Sequence, residues 1–358
     1  MKKSKINILL VMLLFSYCDY FNTEFENDEE AKLYQATSIV TPPTAPTSVN
    51  LMNWNVKFGA GRIDIFFDCY GARSRMTKNE INANLDGMIV KIVAANPDIL
   101  IVQEIDANAT RSAYVDMVQY ILDRSQFNYA AYASQWKVDY VPSGGVGRIN
   151  SGNAIFSRWP ITETTRIQLA LRSDQDTVTK YFYLRRNLLK ATIDLGGGKT
   201  IVGMGVHTAA FSNDGTKQKQ IIQIKEQIDA SVAAGAVTFL AGDFNTIPPG
   251  SAKTSGFPDS ICTDEAFQAD DYSNEGTLMQ PLYDTYFEAI DLATYQASNT
   301  PYFTHTTNKN GFWNRKLDYI FSNNVLTTGL VHQNTALGGT ETMPLSDHAP
   351  VTATLATP

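Results

Sequence analysis

Residues 77–104 have the sequence TKNEINANLDGMIVKIVAANPDILIVQE, and this stretch decides the fold class. Thr77 and Glu80 form a capping-box pair, and apolar residues follow at helical spacing until an Asn-Pro pair, which predicts a helix. Residues 98–102 then predict a short buried strand that carries Glu104 to its carboxyl end. A helix followed at once by a buried strand indicates a fold that mixes α and β structure.

The same alternation of helices and strands continues on both sides of this stretch. Further strands are predicted at residues 49–56, 129–134, 153–157, 182–195, 200–207, 237–241, 317–322 and 351–355. A helix with one apolar face precedes residue 237, and the three glycines at 196–198 predict a hairpin turn. The pattern therefore indicates an α/β fold with substantial antiparallel pairing.

The composition is that of an ordinary globular protein. The chain has 358 residues, of which 44% are hydrophobic and 18% are charged. These values exclude a disordered chain, a collagen-like chain and a small disulfide scaffold. The net charge is -7, so there is no general basic field that would hold nucleic acid through its phosphates, although an enzyme that releases its substrate is still allowed.

The first residues predict an export signal. Three lysines precede the apolar run 6–15, which is too short to span a bilayer, so residues 1–17 are interpreted as a signal peptide. Cys18 follows directly, and a lipidated Cys18 would hold the protein at a membrane. Phe15 and Tyr17 depart from the usual lipoprotein pattern, so ordinary signal cleavage and lipidation both stay open.

Residues 18–47 are interpreted as an acidic and proline-rich tether, since the segment 41–47 contains three prolines and favours neither a helix nor a sheet ladder. Residues 48–358 then form one large domain, expected to be a monomer. Cys69 and Cys262 could form a disulfide in an oxidising compartment or remain two buried thiols, and the sequence leaves both readings open.

Polar residues gather at the ends of the predicted strands, where an α/β fold commonly builds its binding crevice. These residues are Asn53-Trp54-Asn55, Gln103-Glu104, His207-Thr208, Asp243-Phe244-Asn245, Asp318 and Asp347-His348. Oxygen ligands without a Cys or His cluster favour a hard cation such as Mg²⁺. Carboxylates and histidine beside such a metal are the groups that metal-assisted phosphoester hydrolysis needs.

These residues lie in motifs whose order resembles the endonuclease/exonuclease/phosphatase superfamily, which includes deoxyribonucleases, bacterial sphingomyelinases and inositol polyphosphate 5-phosphatases. The motifs are N-W-N-V, Q-E, G-N-A-I-F-S-R-W-P-I, G-D-F-N, L-D-Y-I-F and S-D-H-A-P-V. The resemblance implies a four-layer α/β sandwich of two mostly antiparallel β-sheets flanked by helices, with a site at one end. It also implies an exported Mg²⁺-dependent phosphoric ester hydrolase of the nuclease or phosphodiesterase kind, with Mn²⁺ as a substitute metal.

The resemblance also assigns metal and phosphate contacts. Glu104 would be the main metal ligand, Asp347 would join the metal site, and Asn55 would touch both the metal and the phosphate. Arg186 is a further candidate for phosphate binding, because a guanidinium matches phosphate geometry, although a solvated strand face explains it equally well.

The catalytic residues implied by the resemblance are five. Asp243 would orient or deprotonate the attacking water, and Asn245 would donate to a phosphoryl oxygen. His348 would pair with Asp318, which fixes its tautomer and stabilises its charged form. His207 would donate to the phosphate or to the leaving oxygen.

The substrate stays open between nucleic acid, a phospholipid headgroup and a phosphorylated sugar or inositol. A catalytically inactive module that binds a phosphorylated ligand is the alternative from a different functional class. His305 and His332 fall outside the motifs and are interpreted as structural or surface residues.

Overall fold

The computed structural model describes residues 28–141, 144–263 and 269–358. Its strands are β1 (Asp28–Glu29), β2 (Lys32–Gln35), β3 (Ser48–Asn55), β4 (Ile99–Asp106), β5 (Tyr129–Val141), β6 (Gly147–Ser157), β7 (Ile161–Gln168), β8 (Asn187–Gly196), β9 (Lys199–His207), β10 (Thr238–Asp243), β11 (Phe287–Glu288), β12 (Asp318–Ser322), β13 (Leu326–Val331) and β14 (Val351–Ala356). Its α-helices are α1 (Lys78–Ala95), α2 (Met117–Leu122), α3 (Thr177–Phe182), α4 (Thr216–Ala233), α5 (Gln280–Tyr283) and α6 (Leu292–Ala297).

The described strands form two seven-stranded sheets. Sheet I has the order β1-β7-β8-β9-β10-β12-β11, and sheet II has the order β13-β14-β3-β4-β6-β5-β2. The pair β9–β10 in sheet I and the pair β3–β4 in sheet II are parallel, and the other neighbours are antiparallel. This arrangement confirms the predicted sandwich of two mostly antiparallel sheets.

The helices cover the two outer faces, which gives four layers. Alternate residues of β4 explain how: Ile99 and Ile101 pack between the sheets, whereas Leu100 and Val102 pack against α1 and α2. A strand that is buried on both faces needs a continuous apolar run, as this segment has. On the far side, the apolar face of α4 packs on sheet I through Ile221 and its neighbours.

The helix that the opening stretch predicts is α1. The side chain of Thr77 accepts a hydrogen bond from the Glu80 amide, and the Glu80 carboxylate accepts one from the Thr77 amide, so the capping box forms. Asn96 takes a left-handed conformation and ends the helix before the proline. The predicted hairpin turn is also present, since the glycines at 196–198 connect the antiparallel strands β8 and β9.

The strand predicted at 182–195 is present, but its predicted start lies too early in the chain. Residues Thr177–Phe182 form the short helix α3, capped by the Asp176 side chain, and β8 begins only at Asn187. The aromatic residues near 182 suggested a strand, but an N-terminal cap with two backbone hydrogen bonds favours a helix turn here.

The prediction of a tether is wrong for residues 28–47. β1 pairs with β7, and β2 pairs with β5, so each adds an edge strand to one sheet. Tyr34 is buried in the outer core of sheet II, and the Trp159 indole donates a hydrogen bond of 2.7 Å to the Pro43 carbonyl. The proline-rich part forms no strand, as expected, but it lies against the domain. The predicted signal peptide 1–17 and Cys18 lie outside the described residues.

Two further features of the described residues are a disulfide and the character of the helices. Cys69 and Cys262 form a disulfide that joins loops 193 residues apart in the sequence, which resolves the alternative that the sequence left open. Within the described residues, no helix has the length and apolar character needed to cross a membrane.

We expect Tyr34→Ala to lower the free energy of unfolding by about 3 kcal/mol, because it removes a buried aromatic ring from the outer core of sheet II. Leu33→Ala is the matched control: Leu33 lies on the same strand but is 47% exposed, so its loss should stay within about 0.5 kcal/mol. Urea unfolding of the full chain measures both values. Equal effects of the two substitutions would contradict a docked β2.

Candidate active site

The strand order brings the polar strand ends to one end of the sandwich. Parallel pairing aligns the carboxyl ends of β3 and β4 in sheet II, and of β9 and β10 in sheet I. Asn55, Glu104, His207 and Asp243 lie at or beside these ends. The antiparallel strands β12 and β14 begin at the same edges, which adds Asp318 and the segment before β14.

Backbone register places three of these residues side by side in sheet I. Asp243 is the direct partner of His207 on β9 and of Asp318 on β12. Hydrogen bonds to its backbone hold His348, which precedes β14 of sheet II, at the site. The Trp54 indole donates to the His348 carbonyl at 2.9 Å, and the His348 amide donates to Ser346 Oγ at 3.2 Å.

Asn55 joins the two sheets. Its Nδ2 donates to Glu104 Oε1 at 3.1 Å and to Asp243 Oδ2 at 3.0 Å, while its Oδ1 accepts from the Lys57 amide at 3.1 Å. Glu104 has a left-handed φ of 55°, at the point where the ladder between β4 and β6 shifts register. Burial and the nearby Asp347 raise the pKa of Glu104. The carboxylates of Glu104 and Asp347 therefore lie close together in the site.

His348 lies between two aspartates. Its Nδ1 is 2.8 Å from Asp318 Oδ2, and its Nε2 is 3.5 Å from Asp243 Oδ2. Burial lowers the pKa of His348, but the two carboxylates outweigh burial and raise this pKa to about 10. Burial, reinforced by Asp318, raises the pKa of Asp243 despite the opposing charge of His348. This trio can hold and move a proton.

A chain of side chains fixes the tautomer of His207. Arg186 can only donate, and its Nη1 lies 3.2 Å from Gln135 Oε1, so the Gln135 amide nitrogen faces His207 Nδ1 at 3.5 Å. The proton of the neutral ring then lies on Nε2, which is 3.4 Å from Asp243. Burial, with Arg186 and His348, holds the pKa of His207 well below its usual value. His207 is therefore a neutral donor.

Asn245 lies in the loop after β10 with a left-handed φ of 46°. Its amide donates to Asp243 Oδ1 at 2.8 Å, and its side-chain nitrogen donates to the Thr208 carbonyl at 3.0 Å. Lys217 donates to the carbonyl of Asn245. One side-chain N–H of Asn245 remains available beside Asp243.

Sequence reasoning missed Gln135 and Lys57, because neither belongs to a recognisable motif. Lys57 is buried, with its Nζ 3.0 Å from Asp68 and 3.6 Å from Asp347. Burial lowers the pKa of Lys57, but both carboxylates outweigh it and raise the pKa. Burial raises the pKa of Asp347, and Lys57 and His348 more than compensate, so this pKa is lowered. Asp347 is a carboxylate anion beside Glu104.

The side-chain oxygens of the residues proposed as metal ligands are chemically suited to a hard cation. Glu104 and Asp347 offer carboxylate oxygens, and the charge of Asp347 already disfavours a charged Glu104, so a cation would relieve their repulsion. Asn55 fits less directly, because its amide nitrogen faces both Glu104 and Asp243 and its oxygen faces Lys57. As placed, Asn55 is better suited to donate to a phosphate than to bind a metal.

Two groups of ligand atoms within 4.8 Å of one another occur among the described residues, and both include His348. One of them is the trio of His348 with Asp243 and Asp318, which hydrogen bonding already explains. The other joins His348 to Asp347 and His305. Of the two alternatives left open for His305, structural or surface, the structure excludes the surface position: the residue is 7% exposed, and its ring centroid lies 4.4 Å from that of His348. His332 lies partly buried outside the cluster, as its place outside the motifs suggested.

Comparison with known proteins finds a matching family model. A family model described as "Endonuclease/Exonuclease/phosphatase family" matches residues 52–348. The match covers every residue of the candidate site from Asn55 to His348. No curated protein matches the chain with significance.

Solved structures share the fold at low identity. An endonuclease/exonuclease/phosphatase from Beutenbergia cavernae DSM 12333 is 16% identical with a TM-score of 0.56, over 87% of this chain and 72% of that one. A humanized TDP2 from D. rerio is 14% identical with a TM-score of 0.53, over 87% and 100% of the chains. The human Nocturnin catalytic domain, with a bound sulfate anion, is 16% identical with a TM-score of 0.52, over 92% and 98%.

We expect Asp318→Asn to lower the pKa of His348 by about 1 to 3 pH units, because it removes the carboxylate that stabilises the charged ring. The wild-type ring stays protonated until the pH approaches 10, whereas the variant ring should lose its proton at lower pH. Histidine side-chain NMR during a pH titration measures this change. His332, whose ring bonds to Thr352, serves as the internal control and should not shift. An unchanged His348 titration would contradict the pairing.

Proposed function

Because this chain belongs to the endonuclease/exonuclease/phosphatase family, we propose that it is a metal-dependent hydrolase of phosphoester bonds, of the phosphodiesterase or nuclease kind, that acts outside the cytoplasm. The observation that carries the proposal is the convergence of Asn55, Asp243 and His348, drawn from two sheets, on one buried cluster. A fold alone does not fix a function, but this cluster contains the groups that phosphoryl chemistry needs.

Mg²⁺ is the proposed cofactor, with Mn²⁺ as a substitute. Glu104 and Asp347 would hold the ion, because they are the two neighbouring carboxylates outside the His348–Asp318–Asp243 trio. A hard cation bound there supplies neutralisation of phosphate charge and polarisation of a phosphoryl oxygen. Asn55 then serves as a donor to a phosphate oxygen.

Asp243 is the proposed base for the attacking water. It is buried, its pKa is raised, and it accepts from the Asn245 amide and the Asn55 side chain, which together fix its orientation. A carboxylate with a raised pKa binds a proton more readily near neutral pH than an exposed aspartate does. Protonated His348, held by Asp318, keeps a positive charge beside this step.

Three donors remain for the phosphate and the leaving oxygen. His207 presents its Nε2 proton, Asn245 offers one side-chain N–H, and Arg186 brings a guanidinium to the same pocket. Donors that are already fixed in place stabilise the charge that develops in the transition state without reorganisation. Arg186 also orders Gln135, so it contributes to the His207 tautomer as well as to the local positive charge.

Export remains part of the proposal. The lysine-rich and apolar start of the chain supports a signal peptide, and Cys18 supports a lipid anchor. A disulfide between Cys69 and Cys262 fits an oxidising compartment, because cytoplasmic thiols are kept reduced. An exported phosphoesterase would meet nucleic acid, phospholipid headgroups or soluble phosphorylated sugars as substrates.

We expect the purified chain to hydrolyse at least one of DNA, RNA, sphingomyelin and inositol phosphates in Mg²⁺ or Mn²⁺, and to lose this activity in EDTA. Glu104→Gln should lose activity by about 100-fold or more, because it removes the main proposed ligand, and calorimetry should show weaker Mg²⁺ binding. The matched control is Glu226→Gln, an exposed carboxylate on α4, which should keep full activity.

Two outcomes would reject this function. Full turnover in chelator would exclude metal dependence. Binding of a phosphorylated ligand with no hydrolysis of any substrate would favour the inactive binding module of the same fold.

We expect the mature protein to begin at or near Cys18 and to fractionate outside the cytoplasm, because the signal peptide should be removed during export. Intact-mass spectrometry decides between the two routes: a diacylglyceryl adduct on Cys18 marks a lipoprotein, and an unmodified downstream N-terminus marks simple secretion. A cytoplasmic protein that retains Met1 would refute export.

A further inference from the structure

His305 is a buried imidazole with an unsatisfied ring nitrogen. It is 7% exposed, and its Nδ1 is buried and forms no hydrogen bond with any residue that the structure describes. A buried polar atom that lacks a partner carries a cost, so such a group calls for a ligand or a function. The proposed hydrolysis uses no group on His305.

The backbone holds His305 firmly against the active site. Its amide donates to the Arg315 carbonyl at 2.9 Å, and the residue forms β-bridges to both Arg315 and His348. Arg315 is itself buried and paired with Asp259 at 3.2 Å and with Asp270. The backbone therefore fixes the position of the His305 ring beside that of His348.

Three side chains that could bind a metal ion lie close together at the His305 ring. His305, Asp347 and His348 each offer one nitrogen or oxygen within 4.8 Å of the others. Ligands of a tetrahedral Zn²⁺ lie about 3.4 Å apart when the metal bonds are about 2.1 Å long, so small side-chain rotations would close the group. Burial and the Arg315 charge keep the pKa of His305 well below its usual value, and the neutral ring is the form that binds metal.

We propose that His305, Asp347 and His348 form a second cation site that takes Zn²⁺, and that Zn²⁺ bound there inhibits the enzyme. Two imidazoles and one carboxylate are a donor set that favours Zn²⁺ over Mg²⁺, whose ligands are normally oxygens alone. Metal-bound histidines usually donate their other ring N–H to a carboxylate, and His348 already donates Nδ1–H to Asp318. The outer partner that such a site needs is in place.

The same geometry explains the inhibition. With Nδ1 committed to Asp318, His348 can bind the ion only through Nε2, the atom that faces Asp243 at 3.5 Å. Zn²⁺ on Nε2 would lie beside Asp243, the proposed base, and obstruct it. The ion would also compete with Mg²⁺ for Asp347. The binding part of this inference stands without the proposed function, whereas the inhibition part rests on it.

Calorimetry of the full chain with ZnCl₂ alone tests the binding. His305→Phe keeps a buried aromatic ring but removes one ligand, so the dissociation constant for Zn²⁺ should rise by about 10-fold or more. His332→Phe is the matched control, because it removes a histidine outside the cluster, and its affinity should equal that of the wild type. Equal affinities of the wild type and His305→Phe would overturn the site.

Kinetics test the inhibition with the same three proteins in saturating Mg²⁺. The ZnCl₂ concentration that halves the rate should rise by about 10-fold or more in His305→Phe and stay unchanged in His332→Phe. Tight zinc binding without inhibition would reject the inhibitory role. Zinc binding by a chain that hydrolyses no substrate would refute the proposed function while the cation site stands.

Co²⁺ replaces Zn²⁺ as a probe of the unmodified chain, so the test does not depend on the variant folding. An intense visible absorption band, typical of tetrahedral Co²⁺, that ZnCl₂ displaces would support the site. A weak octahedral band alone would overturn it.

Discussion

The hydrogen bond from Asn55 to Asp243 ties sheet II to sheet I at the end where the polar strand termini meet. It can form only because each sheet contains one parallel strand pair, β3–β4 and β9–β10, whose carboxyl ends face the same way. The apolar residues between the sheets fix their separation, so the bond length follows from core packing. This junction joins Asn55 and Glu104 of sheet II to Asp243 of sheet I.

Concentrating carboxylates at that junction has an electrostatic cost, and the chain offsets it in three places. Protonated His348 lies between Asp318 and Asp243, and Lys57 lies beside Asp347. Beneath them, Arg111 forms a buried pair with Asp106, and its charge also opposes the rise in the pKa of Glu104. The pKa of Glu104 stays raised, chiefly because the residue is buried and also because Asp347 lies nearby. A cation bound beside these two carboxylates would stabilise their charged forms.

The sequence predicts the features that depend on neighbouring residues, and it misses those that depend on residues far apart in the chain. Local patterns were sufficient for α1 and for the polar strand ends, because caps, periodicity and short motifs lie within a few residues of one another. Gln135 was missed, since its role appears only when Arg186 and His207 reach it from other strands. The N-terminal strands were missed for a similar reason: β2 has four residues, and its pairing partner β5 lies almost a hundred residues later.

His207 and His348, the two histidines proposed to act in catalysis, have pKa shifts in opposite directions because different groups contact Nδ1 of each ring. Gln135, ordered by Arg186, donates toward Nδ1 of His207, which leaves a neutral ring with its proton on Nε2. Asp318 accepts from Nδ1 of His348, which stabilises a charged ring. Both Nε2 atoms point at the same oxygen of Asp243, at 3.4 and 3.5 Å. Asp243 therefore lies between a neutral donor and a fixed positive charge. This asymmetry suits the proposed phosphoester hydrolysis, in which the attacking and leaving sides need different groups.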